Sequence, residues 1–228
     1  MIKAVIFDFD GLILDTETHE FETYKELFRE HGAELTLDVW GSCVGTASGF
    51  NPYHYLNECV GRELDPDEVR NWRLKRYEAR MQEEPLRPGV ENYLQTAGRL
   101  GLKIGLASSS SADWVLGYLR HYGIENYFAC ISTRDMVEEV KPNPELYLRT
   151  LRCLGVEAHE AVAFEDSPNG ALAAERAGMH CVAVPNAVTE TLPFGAITLR
   201  ISSMADLPLE ELLAKLNESA KREANIEV

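Results

Sequence analysis

Carboxylates follow two apolar, strand-like runs of this sequence. Asp8 directly follows the run 2–7, and Asp10 lies two residues further on. Glu165 and Asp166 follow a second run, 161–164. The carboxyl ends of parallel strands meet at one edge of a sheet, so both acidic pairs would lie together there. Such a concentration of negative charge needs a cation, and hard oxygen ligands select Mg²⁺. Either pair alone is equally well explained by loop residues or helix N-caps.

Two further segments suit an anionic phosphoryl group. Ser108 follows a strand-like run and opens a helical pattern, so its hydroxyl and the next backbone N–H groups could bind an anion. Lys141 precedes two prolines at a helix start, where its charge could neutralise both a phosphate and a carboxylate. Taken alone, Ser108 is better explained as a helix N-cap and Lys141 as a solvated surface residue.

Strand and helix patterns alternate along most of the chain. This rhythm predicts an α/β fold, a Rossmann-like doubly wound parallel sheet. Glycines follow four of the helical patterns, as helix C-caps do. The strand signals are 2–7, 103–107, 161–164 and 180–184, with weaker ones at 130–131 and 199–201, and the helices are near 90–100, 112–122, 144–154 and 169–177.

One segment interrupts the alternation with helical patterns alone, near 17–31, 52–60 and 66–83. An insertion directly after the first strand lies above the carboxyl ends of the strands, where ligands of open α/β sheets bind. It is therefore a candidate lid. We predict an α/β core domain of residues 1–15 and 85–228 and a helical cap domain of residues 16–84.

Charge and composition exclude several classes of protein. The 228 residues include 22 Lys and Arg against 37 Asp and Glu, a net charge of −15 that disfavours a nucleic-acid binder. No apolar run reaches the roughly 18 residues of a membrane span, and no signal peptide is evident, which predicts a cytoplasmic protein without membrane partners. The five cysteines include no C-x-x-C pair, and their odd number predicts reduced, mostly buried thiols.

These segments, in this order, resemble the four motifs of the haloacid dehalogenase (HAD) superfamily. The resemblance is to Asp8-x-Asp10-Gly11 with Asp15-Thr16, Ser108 after a strand, Lys141-Pro142, and Glu165-Asp166. Each motif is weak alone, and the order and spacing are specific. The resemblance covers residue 2 to about 213 and is greatest to the small phosphatases and β-phosphoglucomutases that carry a helical cap.

The resemblance implies a role for each of these residues. Asp8 would be the nucleophile that forms an aspartyl-phosphate, and Asp10 the general acid and then the general base. Mg²⁺ would be bound by the Asp8 carboxylate, the Asp10 backbone carbonyl and Asp166, with Glu165 in support. Phosphate oxygens would be held by Ser108, Ser109 and Lys141. The chemistry is consistent, since a carboxylate attacks a phosphate dianion only if their repulsion is cancelled.

The sequence departs from the β-phosphoglucomutase pattern at two positions. Glu20 stands where that pattern has a histidine, and Ser48 lies near where it has a phosphate-binding arginine. We therefore predict a Mg²⁺-dependent phosphatase that hydrolyses a small phosphorylated metabolite, a sugar phosphate or a phosphoglycolate-like compound. A phosphomutase and a catalytically idle HAD-like binding module are the alternatives. Nothing in the sequence sets the oligomeric state, and we favour a monomer.

The predicted cap has a cluster of basic residues on one helix. Arg73, Arg76 and Arg80 follow the i, i+3, i+7 spacing of a shared face. A solvated face balanced by neighbouring glutamates is the favoured explanation. The alternative is that this face guides or holds an anionic substrate.

Overall fold

The fold is built on a parallel sheet whose strands come from both halves of the chain. A computed structural model describes residues 1–41 and 50–226, with side chains through residue 218. In the described residues the strand order is β3-β2-β1-β4-β5-β6, and every pairing is parallel. The predicted Rossmann-like α/β fold is therefore confirmed. The strands are β1 Ala4–Phe7, β2 Lys103–Ala107, β3 Cys130–Ser132, β4 Ala161–Glu165, β5 His180–Ala183 and β6 Leu199–Arg200.

Strand β1 is buried on both faces, because helices cover the sheet on each side. Val5 and Phe7 of β1 pack into one apolar cluster, whereas Ala4 and Ile6 pack into the other. This alternation follows from the two-residue period of a strand. The helices of the sheet layers are α5 Val90–Arg99, α6 Ala112–His121, α7 Glu145–Leu154, α8 Pro168–Arg176 and α9 Leu209–Ile226.

The helices between β1 and α5 pack around a third apolar cluster, which also includes Val188 from the segment after β5. Phe21, Trp40 and Leu56 are buried members of it. Asn51 and Asp65 accept hydrogen bonds from backbone N–H groups of the first turns, and each is followed by a proline at the first helical position. These caps explain why the helices start where the sequence predicts them. Within residues 1–41 and 50–226 these helices are α1 Thr16–Glu30, α2 Leu37–Gly41, α3 Pro52–Val60 and α4 Pro66–Met81.

The cysteines differ from the prediction of reduced, mostly buried thiols. Cys130 of β3 and Cys153 of α7 form a disulfide, and Cys59 is exposed. The prediction was wrong because the two bonded residues are 23 positions apart, and only the packing of α7 beside β3 brings their Cα atoms to 6.2 Å. Cys181 is a buried free thiol, as predicted, and Cys43 lies outside the described residues.

The helices that the structure describes include none long and apolar enough to cross a membrane.

Candidate active site

Two carboxylates leave the carboxyl end of β1 at the switch point of the sheet, between β1 and β4. Asp8 is buried, and Asp10 is half-buried two residues later. Gly11 follows with a φ of +76°, and a Cβ built there would lie 2.1 Å from Asp166 Oδ2. A glycine is required because the loop after β1 turns back against the acidic end of β4. The loop therefore brings the first and last predicted motifs together.

A buried lysine links the two acidic strands. The Nζ atom of Lys141 lies 2.5 Å from Asp8 Oδ1 and 2.7 Å from Glu165 Oε1. Burial alone would lower the pKa of Lys141, but the charges of Asp8 and Glu165 outweigh it and raise that pKa. Lys141 is therefore held charged between the two carboxylates and is not the solvated surface residue of the alternative explanation.

Three carboxylates form a cluster that fits a divalent cation. Oxygens of Asp8, Glu165 and Asp166 all lie within 4.8 Å of one another. Burial raises the pKa of Asp8 to about 8 and that of Asp166 well above its ordinary value, and the neighbouring acids add to both shifts. Among the described residues the buried Glu165 Oε2 has no hydrogen-bond partner. Hard oxygens, excess negative charge and an unpartnered atom all suit Mg²⁺.

Neighbouring groups fix two of these three carboxylates. Tyr147 donates its hydroxyl to Glu165, and the amide Nδ2 of Asn186 lies 2.8 Å from Asp166 Oδ2. Gly170, in the first turn of α8, makes room for Glu165, since a Cβ there would lie 1.9 Å from Oε2. The acids at the end of β4 are therefore oriented by their surroundings, and they do not serve as ordinary helix caps. The cap of α8 is instead Ser167.

The Asp10 carboxylate points to the segment that follows β2. Its Oδ2 lies 2.7 Å from Ser110 Oγ and 3.4 Å from Ser108 Oγ, and its Oδ1 accepts from the indole Nε1 of Trp114 at 2.9 Å. Ser108 is fully buried, and in the described part of the chain the buried Oγ of Ser109 has no hydrogen-bond partner. Ser111, not Ser108, caps α6. Neither Ser108 nor Ser109 therefore caps α6, and the Ser108 hydroxyl lies beside Asp10.

The structure places every residue of the predicted site at this edge of the sheet. Sequence reasoning missed Ser110, Trp114 and Asn186, although Asn186 follows the end of β5 and the topology alone puts it there. It also missed Arg87, whose guanidinium donates to the carbonyls of Gly11, Val184 and Pro185. Arg87 ties the Gly11 loop to the loop that carries Asn186. Trp114 gave no signal, because a helical tryptophan is usually a core residue.

The three arginines of α4 do not form one solvated face. Arg73 is buried, donates from Nε to the Tyr53 hydroxyl and lies 3.8 Å from Glu20. Arg76 instead stacks over Trp72, and Arg80 pairs with Glu26 at 2.5 Å. The favoured explanation of a solvated face is therefore wrong for Arg73. Helix α4 packs against α1, and this packing turns Arg73 inward although Arg76 and Arg80 share its spacing.

Glu20, the partner of Arg73, lies close enough to Asp10 for their charges to interact. Burial raises the pKa of Glu20, the charge of Arg73 opposes the shift, and the charge of Asp10 adds to it. Tyr77, one turn after Arg73, is buried with its pKa raised by burial and by the charges of Glu20 and Asp10. The inner face of α4 therefore lies opposite the acidic edge of the sheet. His19 pairs with Glu84 at 2.5 Å, while Val44 to Ser48 lie outside the described residues.

This arrangement of motifs matches a known family over most of the chain. A sequence-family model described as haloacid dehalogenase-like hydrolase matches residues 5–184 of the chain. The chain belongs to the haloacid dehalogenase-like hydrolases. The predicted resemblance is thus confirmed, and so is the prediction of an enzyme, a HAD-type phosphoric monoester hydrolase.

Relatives of this HAD hydrolase span nearly its whole length. The protein YhcW of Bacillus subtilis, provisionally described as a phosphatase, is 57% identical over 217 residues, which cover 95% of this chain and 99% of YhcW. A phosphorylated carbohydrates phosphatase of Thermotoga maritima is 30% identical, with 95% and 99% covered. The crystal structure of CbbY from Rhodobacter sphaeroides in complex with phosphate superimposes with a TM-score of 0.73 at 30% identity, covering 95% and 100%.

Proposed function

We propose that this chain is a Mg²⁺-dependent phosphatase that hydrolyses a small sugar phosphate through an aspartyl-phosphate on Asp8. The observation that carries the proposal is the contact of Asp8 with Lys141, inside a cluster of buried carboxylates at the switch point of the sheet. A carboxylate with a fixed cation beside it can approach a phosphate dianion. The activity of the Thermotoga relative on phosphorylated carbohydrates supports the sugar as the substrate class.

The proposed reaction has two steps. In the first, a carboxylate oxygen of Asp8 forms a bond to phosphorus, the ester P–O bond breaks, and Asp10 gives its proton to the leaving oxygen. In the second, Asp10 takes a proton from water, the water oxygen bonds to phosphorus, and the Asp8–phosphorus bond breaks. Ser108, Ser109 and Lys141 hold the phosphate oxygens during both steps.

The same site would hold the metal. Mg²⁺ would be bound by the Asp8 carboxylate, the Asp10 backbone carbonyl and Asp166, with Glu165 supporting the site. When bound, Mg²⁺ supplies positive charge that offsets the repulsion between the attacking carboxylate and the phosphate. Lys141 stays beside Asp8 and Glu165 and limits the excess negative charge.

We propose that residues 16–84 act as a cap over this site and that its inner face selects the substrate. Arg73 and Glu20 would meet the part of the substrate beyond the phosphate. In the described part of the chain the buried Arg73 Nη1 has no hydrogen-bond partner, and such a donor is costly unless a ligand satisfies it. A hydroxyl-rich sugar can donate to Glu20 and accept from Arg73 at once. The pairing therefore favours a polyol chain over an apolar one.

Removing a metal ligand should disable the enzyme. We expect chelation by EDTA to abolish hydrolysis of p-nitrophenyl phosphate. Asp166→Ala should raise the Mg²⁺ concentration that gives half-maximal activity by at least about 10-fold, because Mg²⁺ sites often contain only one or two carboxylates. The exposed Asp206→Ala serves as the control and should behave as wild type. Equal activity in EDTA and in Mg²⁺ would contradict the metal requirement.

Arg73 also favours a second candidate, a phosphomutase. A mutase must hold a bisphosphate with either phosphate over Asp8, so its cap needs a cation for the other phosphate. Arg73 is a buried cation on the inner face of α4, and its partner Glu20 stands 3.8 Å away. The negative charge of Glu20 would repel a second phosphate, whereas it would accept sugar hydroxyls. This pairing supports hydrolysis over transfer.

We expect hydrolysis to exceed transfer between sugar positions. The purified protein would be incubated with Mg²⁺, β-glucose 1-phosphate and a trace of the 1,6-bisphosphate, while inorganic phosphate and glucose 6-phosphate are followed together. Inorganic phosphate should form faster, because Glu20 neutralises the cap cation that a bisphosphate needs. Faster formation of glucose 6-phosphate would establish the mutase instead.

Other predictions from the sequence remain proposals. We propose that residues 1–15 and 85–228 form the core domain and residues 16–84 the cap domain. A cytoplasmic location, a monomeric state and the lack of nucleic-acid and membrane partners remain predictions. Size-exclusion chromatography with light scattering tests the monomeric state.

A further inference from the structure

Trp114 lies between the cap helix α4 and the carboxylate of Asp10. Its Nε1–H donates to Asp10 Oδ1 at 2.9 Å, and its ring stacks on that of Tyr77, with centroids 6.1 Å apart and planes 18° from parallel. We propose that Trp114 is a positioning residue that fixes Asp10 for proton transfer and makes its position depend on the placement of α4. The proposal rests on the proposed function, in which Asp10 is the acid and base.

The hydrogen-bonding chemistry of the three donors to Asp10 differs. An indole N–H can only donate, so Oδ1 must accept from Trp114 whether or not the carboxyl carries a proton. A serine hydroxyl can turn and accept. The transferred proton therefore belongs on Oδ2, where Ser110 lies 2.7 Å away and can adapt to either form. Trp114 thus pins one oxygen while the other gains and loses the proton.

Neighbouring rings hold the indole in place. Tyr118, on the same helix as Trp114, meets it edge to face at 4.8 Å, and Tyr118 in turn packs 6.3 Å from Phe9, between the two catalytic aspartates. Tyr77 stacks on the indole from α4. The indole cannot rotate away from Asp10 without breaking these contacts, so its hydrogen bond is preorganised.

The stack also connects substrate binding to acid catalysis. Tyr77 belongs to α4, and Arg73 lies one turn earlier on the same inner face. A substrate that engages Arg73 and Glu20 would hold α4 down, and with it the Tyr77 ring on Trp114. Asp10 would therefore keep this alignment for as long as α4 stays packed on Trp114.

Two esters of similar shape separate positioning of the acid from general damage. Phenyl phosphate releases phenol, which resembles the Tyr side chain and has a pKa of about 10. Its cleavage therefore depends on proton donation by Asp10. The phenol released from p-nitrophenyl phosphate is more acidic, so cleavage of that ester depends less on Asp10. We expect Trp114→Phe to lower kcat/KM for phenyl phosphate about 10-fold or more, and for p-nitrophenyl phosphate by less than about 3-fold. Tyr77→Leu should show the same selectivity, with a smaller loss.

The controls make each outcome decisive. Trp72→Phe removes an indole that stacks with Arg76 on α4, and should leave both rates near wild type. If Trp114→Phe unfolds, benzothienylalanine at position 114 keeps the shape and removes only the N–H. Equal losses on both esters, or no loss, would overturn the role of Trp114. If Trp114→Phe is selective but Tyr77→Leu lowers the rates on both esters equally, Trp114 keeps its role and the link to α4 is refuted. A wild type that cleaves neither ester would refute the proposed function itself.

Discussion

Asp8→Asn abolishes turnover, by at least about 10⁴-fold, if Asp8 is the nucleophile. The amide oxygen of Asn is a poor nucleophile. The Asp8 carboxylate lies at the end of β1 with the Lys141 ammonium 2.5 Å away. The measurement is hydrolysis of p-nitrophenyl phosphate in saturating Mg²⁺. Turnover near the wild-type rate would exclude a covalent mechanism at Asp8.

The loss in Asp8→Asn should not come from unfolding. Asn has the size of Asp and can fill the same buried space at the end of β1. Lys141 keeps Glu165 as a partner at 2.7 Å. Circular dichroism and thermal unfolding of the variant should therefore resemble the wild type. Asp206→Asn is the matched control and should retain full turnover.

Asp10→Asn should fail differently from Asp8→Asn. We expect it to lower turnover by roughly 10² to 10⁴-fold, the usual contribution of general acid–base catalysis, while Mg²⁺ binding is largely retained. The amide can still accept from Trp114 and occupy the same space, but it cannot give or take the proton. With p-nitrophenyl phosphate the first step needs little acid, so the defect should fall on water attack. An Asp10→Asn variant as active as wild type on phenyl phosphate would remove Asp10 from the mechanism.

The elements that position the site were predictable because each carries a local pattern. β1 and β4 are buried on both faces, and such strands appear as continuous apolar runs that end in acids. The caps at Asn51 and Asp65 mark helix starts in the same local way. The C-terminal helix Leu209–Ile226 was not predicted, nor was the short Leu37–Gly41. A helix of five residues is too short for a 3.6-residue period to show.

The contacts that were missed depend on packing between distant segments. Trp114 reaches Asp10 across 104 positions, and Arg87 reaches the carbonyl of Pro185 across 98. The Cys130–Cys153 bond is of the same kind. The inward turn of Arg73 was missed because helical spacing shows which residues share a face, but not which neighbour that face meets. The motif residues were found because topology alone collects the ends of parallel strands.

The central claim is that phosphate is carried on Asp8, and one trapping measurement tests it most directly. Asp10→Asn protein would be mixed with p-nitrophenyl phosphate and Mg²⁺, quenched with sodium borohydride and mapped by peptide mass spectrometry. Borohydride reduces an acyl phosphate to an alcohol, so an aspartyl-phosphate at position 8 would appear as homoserine. We expect homoserine at position 8 and nowhere else, in a yield that disappears without substrate. Release of p-nitrophenol without homoserine at position 8 would contradict the account.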